Sequence, residues 1–189
     1  MRTPIILPAV IVFAKAPVPG RVKTRLGLPP EQAARLHYEF VEATLRTCAQ
    51  LEARVELHTD AETEAWRDAK VDRALQVPGD LGDRMLAALR SRPAPVMIVG
   101  SDAPTLPADH LRGLLGLLRE ADVALGPTED GGYYAIACRR TEVRMFAGVE
   151  WSTDRTLAQT VASCEACGLT VALGERWFDV DTPADLARI

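Results

Sequence analysis

The apolar run Val10-Ile11-Val12-Phe13-Ala14 is continuous, β-branched and aromatic, the pattern of a strand covered on both faces. Residues 15–30 break that pattern with four prolines, two glycines and four cations, and so read as a loop. Between 31 and 51, Ala33, Ala34, Leu36, Phe40, Val41 and Leu45 recur close to helical spacing. A strand is expected at 55–59, a short helix at 61–69, a strand at 74–77 and a helix at 83–90. Residues 95–100 form a second fully apolar strand that ends in Ser101-Asp102. Pro107 opens a helix at a position where proline is tolerated, and Leu111, Leu114, Leu115 and Leu118 give it one apolar stripe. Strands at 123–125 and 133–137 flank a loop at 127–132. A helix at 153–167, a strand at 169–173, an extended segment at 177–180 and a helix from Pro183 complete the chain.

Strands that alternate with helices predict βαβ units and a mostly parallel sheet with helices packed on it, an α/β fold. In such sheets ligands bind beyond the carboxyl ends of the strands, where strand order reverses. The loops that follow strands are therefore where chemistry is expected. No repeat, low-complexity tract or linker divides the chain, and 189 residues with 48% apolar content suffice for one domain, 1–189, with a sizeable core.

Charge narrows the partner class. The formal net charge of −4 gives no basic excess, so a small-molecule ligand is expected and nucleic acid is not. Cys164 and Cys167 form the one close cysteine pair, with no second pair or histidine nearby to complete a zinc set. They read as ordinary thiols of a reducing cytoplasm. The apolar stretch 5–14 is too short to span a bilayer and leads directly into a cationic loop, so it reads as the first strand and no membrane association is expected.

Four constellations carry candidate chemistry. Lys15-Ala16-Pro17-Val18-Pro19-Gly20-Arg21-Val22-Lys23-Thr24-Arg25 directly follows the first strand. Gly20 permits close backbone approach, and Lys15, Arg21, Lys23 and Arg25 supply charge for phosphate oxygens. The spacing fits neither a Walker loop nor a dinucleotide fingerprint. Asp102, at the carboxyl end of a buried strand and followed by Pro104 and Pro107, is placed to hold Mg²⁺ or Mn²⁺, which needs only one or two protein carboxylates. A helix-capping role for Asp102 is the alternative. In Gly126-Pro127-Thr128-Glu129-Asp130-Gly131-Gly132-Tyr133-Tyr134, a hairpin turn accounts for Asp-Gly-Gly. Glu129 or Asp130 also offers a base, and Gly131, Gly132 and Tyr133 a sugar- or acceptor-binding surface. In Trp177-Phe178-Asp179-Val180-Asp181-Thr182-Pro183, alternation sets Asp179 and Asp181 on one side, opposite Phe178 and Val180. Gly82 and Arg84, in Asp80-Leu81-Gly82-Asp83-Arg84, are candidates for contact with a nucleobase or phosphate.

The opening motif, Gly100-Ser101-Asp102-Ala103-Pro104, Asp130-Gly131-Gly132-Tyr133 and Phe178-Asp179-Val180-Asp181-Thr182-Pro183 together resemble a bacterial family first described as a domain of unknown function. Its members are usually described as glycosyltransferases, some linked to arsenosugar biosynthesis. That resemblance implies the nucleotide-diphospho-sugar transferase superfamily, with a three-layer α/β/α, mixed and mostly parallel sheet of the A-type glycosyltransferase fold. It also implies that Lys15, Arg21, Lys23 and Arg25 line nucleotide phosphates, that Asp102 is the strand-end metal aspartate, and that Asp181 is a second metal ligand. The sequence departs from a strict Asp-x-Asp at Asp102, where it reads Ser-Asp-Ala.

The resulting expectation is a metal-dependent glycosyltransferase that uses a nucleotide-sugar donor and a small-molecule acceptor. The same residues also suit a nucleotidyltransferase that attacks a nucleoside triphosphate and releases pyrophosphate. A non-catalytic nucleotide-binding module is the third possibility.

Overall fold

The computed structural model describes residues 7–189, so residues 5 and 6 of the opening apolar stretch lie outside it. Seven strands form one sheet: β1 (Ala9–Ala14), β2 (Arg54–Thr59), β3 (Asp72–Leu75), β4 (Val96–Gly100), β5 (Val123–Pro127), β6 (Tyr133–Cys138) and β7 (Val171–Leu173). Their spatial order is β3-β2-β1-β4-β6-β5-β7. The pairs β1–β2, β1–β4, β2–β3 and β5–β7 are parallel, whereas β6 runs antiparallel to both β4 and β5. This is the expected mixed, mostly parallel sheet.

The helices are α1 (Pro30–Cys48), α2 (Leu81–Arg90), α3 (Ala108–Leu117), α4 (Thr156–Ala166) and the short α5 (Pro183–Leu186). All six residues of β1 are buried, as its unbroken apolar run requires. Successive side chains point to opposite faces, and the two faces meet different partners. Val10, Val12 and Ala14 pack with Val41 and Leu45 of α1 and with Leu111 and Leu114 of α3. Ala9, Ile11 and Phe13 pack with Met85 and Leu89 of α2 and with Cys164 of α4. The three layers follow from period-two alternation in β1 matched to one apolar stripe on each helix.

Two expected elements are absent. The segment 61–69 forms turns and no helix, because Trp66 takes a left-handed backbone (φ 59°) that ends any helical run. That conformation buries the Trp66 indole, stacked on Tyr38 with ring centroids 5.3 Å apart. The segment 177–180 joins the sheet only through a bridge between Thr128 and Trp177. Its alternating pattern serves a different surface: Val180 is fully buried against Leu26 and Phe40, with Phe178 and Leu186 packed alongside. One element was not anticipated, a 3₁₀ turn at Thr24–Leu26. Among the described residues, no helix is long and apolar enough to cross a membrane.

Candidate functional site

From β1 the chain runs outward to β2 and β3, whereas β4 leads to the strands on its other side. Strand order therefore reverses between the adjacent parallel strands β1 and β4, and the loops that leave their carboxyl ends flank a crevice. The loop after β1 carries Lys15 to Arg25, and the loop after β4 carries Asp102.

The loop after β1 is tied down at several points. The Ala16 amide donates to Asp60 Oδ1 at 2.7 Å, and Asp60 itself follows β2. His37 of α1 contacts the Lys15 carbonyl through Nε2 at 2.9 Å. Because a carbonyl only accepts, Nε2 carries the proton, and the buried Nδ1 has no partner. Burial is the main reason that the His37 pKa lies below the usual imidazole value, so the ring is a neutral tether. Lys15, Ala16, Val18, Arg21 and Asp60 line a cavity of about 80 Å³ beside this loop.

Further along, the loop turns sharply. Lys23 is left-handed (φ 49°, ψ 36°), and the 3₁₀ turn that follows ends on left-handed Gly27 (φ 69°). The turn drives Leu26 into its small apolar cluster with Phe40 and Val180. It also directs Lys23 inward. The Lys23 ammonium lies 2.6 Å from Asp102 Oδ1 and 3.0 Å from Asp181 Oδ1, and it donates to the Val180 carbonyl at 2.7 Å. Its side chain is 3% exposed, so every donor is committed to protein. Burial alone would lower the Lys23 pKa, but Asp102 and Asp181 outweigh it and hold the pKa above the usual lysine value. Desolvation would likewise raise the Asp102 pKa, and the Lys23 ammonium reverses that. Arg25 pairs with Asp181 Oδ2.

Asp102 and Asp181 thus meet around one cation, although 78 positions separate them in sequence. The Val180 amide donates to the Asp102 carbonyl at 2.8 Å, which fixes the two segments side by side. The Thr182–Asp185 capping box of α5 holds the backbone just after Asp181. Among the described residues, no group of three carboxylate, imidazole or thiol side chains converges as a metal cluster. Two carboxylates facing a cation still fit Mg²⁺ or Mn²⁺, which fill their shells with phosphate and water oxygens. The Lys23 ammonium shows that this point favours positive charge.

A second cavity, of about 160 Å³, opens beside Asp181. It is lined by Arg25, Glu129, Asp130, Phe178, Asp179, Asp181, Thr182, Asp185 and Arg188. Glu129 is held by Arg188 through two hydrogen bonds, of 2.8 and 3.0 Å, and Arg188 lies over the Phe178 ring at 3.8 Å. The Arg188 hydrogen bonds lower the Glu129 pKa below the usual carboxylate range, so Glu129 is a poor proton acceptor in this state. Asp130 Oδ1 accepts from the Thr128 hydroxyl at 2.6 Å and from the Gly132 amide at 3.0 Å, so one of its oxygens organises the β5–β6 hairpin. Burial raises the Asp179 pKa to about 7, reinforced by the charges of Asp102, Asp130 and Asp181. The alternation read from the sequence includes Asp179, but of the pair only Asp181 is assigned a role there.

Several expected contacts point elsewhere. Gly131 is left-handed (φ 89°), and a Cβ there would collide with the Asp154 carbonyl, so its close approach is to the chain itself. The Tyr133 hydroxyl lies 4.0 Å from Met85 Sδ among core residues of α2 and α4, away from the cavity. A Cβ on Gly82 would lie 3.1 Å from Trp151 and Phe146 side-chain atoms, so in this structure protein aromatics occupy the space beside it. Arg84 donates to the Gly79 carbonyl at 3.0 Å and lies 3.4 Å from Gln76 Oε1. The Gln76 amide in turn donates to the His58 carbonyl at 3.0 Å, at the carboxyl end of β2. Gly82 and Arg84 thus stand at the sheet edge that carries the crevice.

Comparison with known proteins agrees with this architecture. A candidate nucleotide-diphospho-sugar transferase from Desulfovibrio desulfuricans G20 is 31% identical, with 95% of this chain and 84% of that chain covered and a TM-score of 0.85. CMP:2-keto-3-deoxy-manno-octonic acid synthetase, solved with CTP, shares the fold at 14% identity, with 97% and 96% coverage and a TM-score of 0.65. Rv0371c from Mycobacterium tuberculosis H37Rv, solved with manganese, does so at 18% identity, with 97% of each chain covered and a TM-score of 0.56. The fold is therefore that of the nucleotide-diphospho-sugar transferases, and the neighbours with named activities are transferases. No curated protein sequence is similar enough to count as a relative. Residues 40–153 match the family described as "Uncharacterized protein conserved in bacteria (DUF2064)". Well over half of the chain falls within that match, and this protein belongs to the DUF2064 family.

Proposed function

We propose that this chain is a cytoplasmic, single-domain, metal-dependent glycosyltransferase that uses a nucleotide-diphospho-sugar donor and a small-molecule acceptor. The observation that carries this reading is the meeting of Asp102, Asp181 and the cationic loop at the β1/β4 switch point. Lys15 and Arg21, beside their own cavity, are the cations best placed to receive donor phosphates. Gly82 and Arg84, at the same sheet edge, are the candidates for contact with the rest of the nucleotide. Asp102 and Asp181 would hold the divalent ion, which supplies positive charge to the diphosphate as the nucleotide leaves.

The larger cavity would take the acceptor. Its wall carries Glu129, Asp130, Asp179, Asp181 and Asp185 against Arg25 and Arg188. That balance suits a hydroxylated or cationic acceptor and opposes a phosphorylated one. Nucleotidyl transfer to a sugar-phosphate or organic phosphate is therefore the less well supported reaction. With Glu129 engaged by Arg188, Asp130 is the better-placed group to orient an acceptor hydroxyl. The four cysteines are free and three are buried, which suits a reducing compartment.

Incubation with a panel of labelled nucleotide sugars and Mn²⁺ tests the assignment. Sugar transfer or slow donor hydrolysis is expected with one donor. Pyrophosphate release from a nucleoside triphosphate and an organic phosphate would instead establish the nucleotidyl reaction. Inertness toward every donor would count against both.

A further inference from the structure

The Lys23 ammonium joins one oxygen of each of the two aspartates that would hold a divalent cation. An ammonium has three N–H donors, and here they meet Asp102 Oδ1, Asp181 Oδ1 and the Val180 carbonyl. None remains for a phosphate oxygen. The left-handed backbone at Lys23 and the Phe40 ring, 5.3 Å from the ammonium, hold this arrangement. Arg25 is different: it pairs with the second oxygen of Asp181 while 72% exposed, so it can leave. Within this cluster two carboxylates face two cations in the free protein. A divalent ion added to Asp102 and Asp181 would stand beside the buried ammonium, whose repulsion opposes it.

We infer that Lys23 is a resident counter-cation that makes divalent-metal uptake conditional on a diphosphate ligand. In the free protein Lys23 and Arg25 hold Asp102 and Asp181. Diphosphate oxygens then compensate the incoming ion and draw Arg25 from Asp181, while Lys23 stays. By linkage, metal and diphosphate must strengthen each other's binding by the same factor. The inference rests on the donor-site reading above and adds an order of assembly to it.

The test measures Mn²⁺ binding to the full chain from the EPR signal of the free aqua ion. Binding is recorded alone and with UDP, CDP, GDP and ADP in turn, against protein-free Mn²⁺–nucleotide baselines. The wild type is expected to bind Mn²⁺ at least tenfold more tightly with whichever diphosphate it accepts. Lys23→Met, which keeps an apolar stem on Phe40, is expected to bind Mn²⁺ alone at least tenfold more tightly than the wild type and to lose most of the nucleotide dependence. Arg25→Gln, at an exposed position, is expected to shift Mn²⁺ binding in the same direction by a smaller factor. Wild-type affinity that is equal with and without diphosphate would overturn the inference and leave the donor-site reading intact. So would unchanged Mn²⁺ binding in both variants. If Lys23→Met fails to fold by circular dichroism, unchanged Mn²⁺ binding in Arg25→Gln alone overturns it. Absence of Mn²⁺ binding in every protein with every nucleotide would overturn both readings.

Discussion

Asp102 is bonded to Lys23 through one oxygen, and its side chain remains half-exposed. Asp102→Asn keeps the size and the hydrogen-bonding oxygen while removing the charge. It is expected to lower sugar transfer by about two to three orders of magnitude, the scale of losing one transition-state charge contact. Its melting temperature should fall moderately, because Asp181 and the Val180 carbonyl still hold the buried Lys23 ammonium. A collapse of the melting temperature would instead make Asp102 a structural residue. Within the cavity proposed to take the acceptor, Glu129→Gln is expected to reduce turnover less than Asp130→Asn, because Arg188 already neutralises Glu129; a kinetic comparison of the two variants decides it. On the phosphate side, Arg21→Ala should weaken nucleotide binding most at low ionic strength, since salt screens an exposed contact. Affinities measured at two salt concentrations check this.

Among the elements, the hairpin between β5 and β6 is tightly constrained. Gly131 combines a left-handed backbone with contact against the Asp154 carbonyl, and its own carbonyl accepts from Leu157 at 2.9 Å. Gly131→Ala is therefore expected to cost more than about 2 kcal/mol, from strain and collision together, as read by chemical denaturation. What the sequence discloses differs between elements. β1 and β4 were legible because strands buried on both faces need unbroken apolar runs. The failure at 61–69 came at Trp66, whose left-handed turn accompanies burial of its indole against Tyr38, a residue remote in sequence. The segment 177–180 alternates like a strand, but its apolar side serves a cluster with Leu26 and Phe40 rather than a sheet. Site residues were legible by type and position after strands. The engagement of Lys23 by carboxylates was not, because it depends on a turn that only the folded chain reveals.

At the scale of the whole molecule, acid acts on a buried charge at Glu56. It is 1% exposed and bonded to Arg92 at 2.7 and 2.9 Å, with His58 Nε2 3.2 Å away. Burial would raise its pKa, but the Arg92 and His58 interactions outweigh that and lower it. A carboxyl depressed on folding contributes stability that is fully present above its unfolded value, about 4.3. That stability is lost as pH falls through the lower folded value. Melting temperatures are therefore expected to drop steeply below about pH 4, and the drop should be shallower in Glu56→Gln, whose starting stability is lower. Identical acid slopes would show that Glu56 contributes nothing to the dependence.

The antiparallel strand β6, set between β4 and β5, has a consequence for how the two sides of the crevice respond to change. It makes the 128–132 loop a hairpin tip braced by Leu157, Trp177 and Arg188, whereas the cationic loop is anchored through Asp60, His37 and Leu26. The two sides of the crevice thus hang on different supports. Changes at the hairpin tip are therefore expected to alter what the cavity beside Asp181 admits while the cationic loop keeps its own anchors.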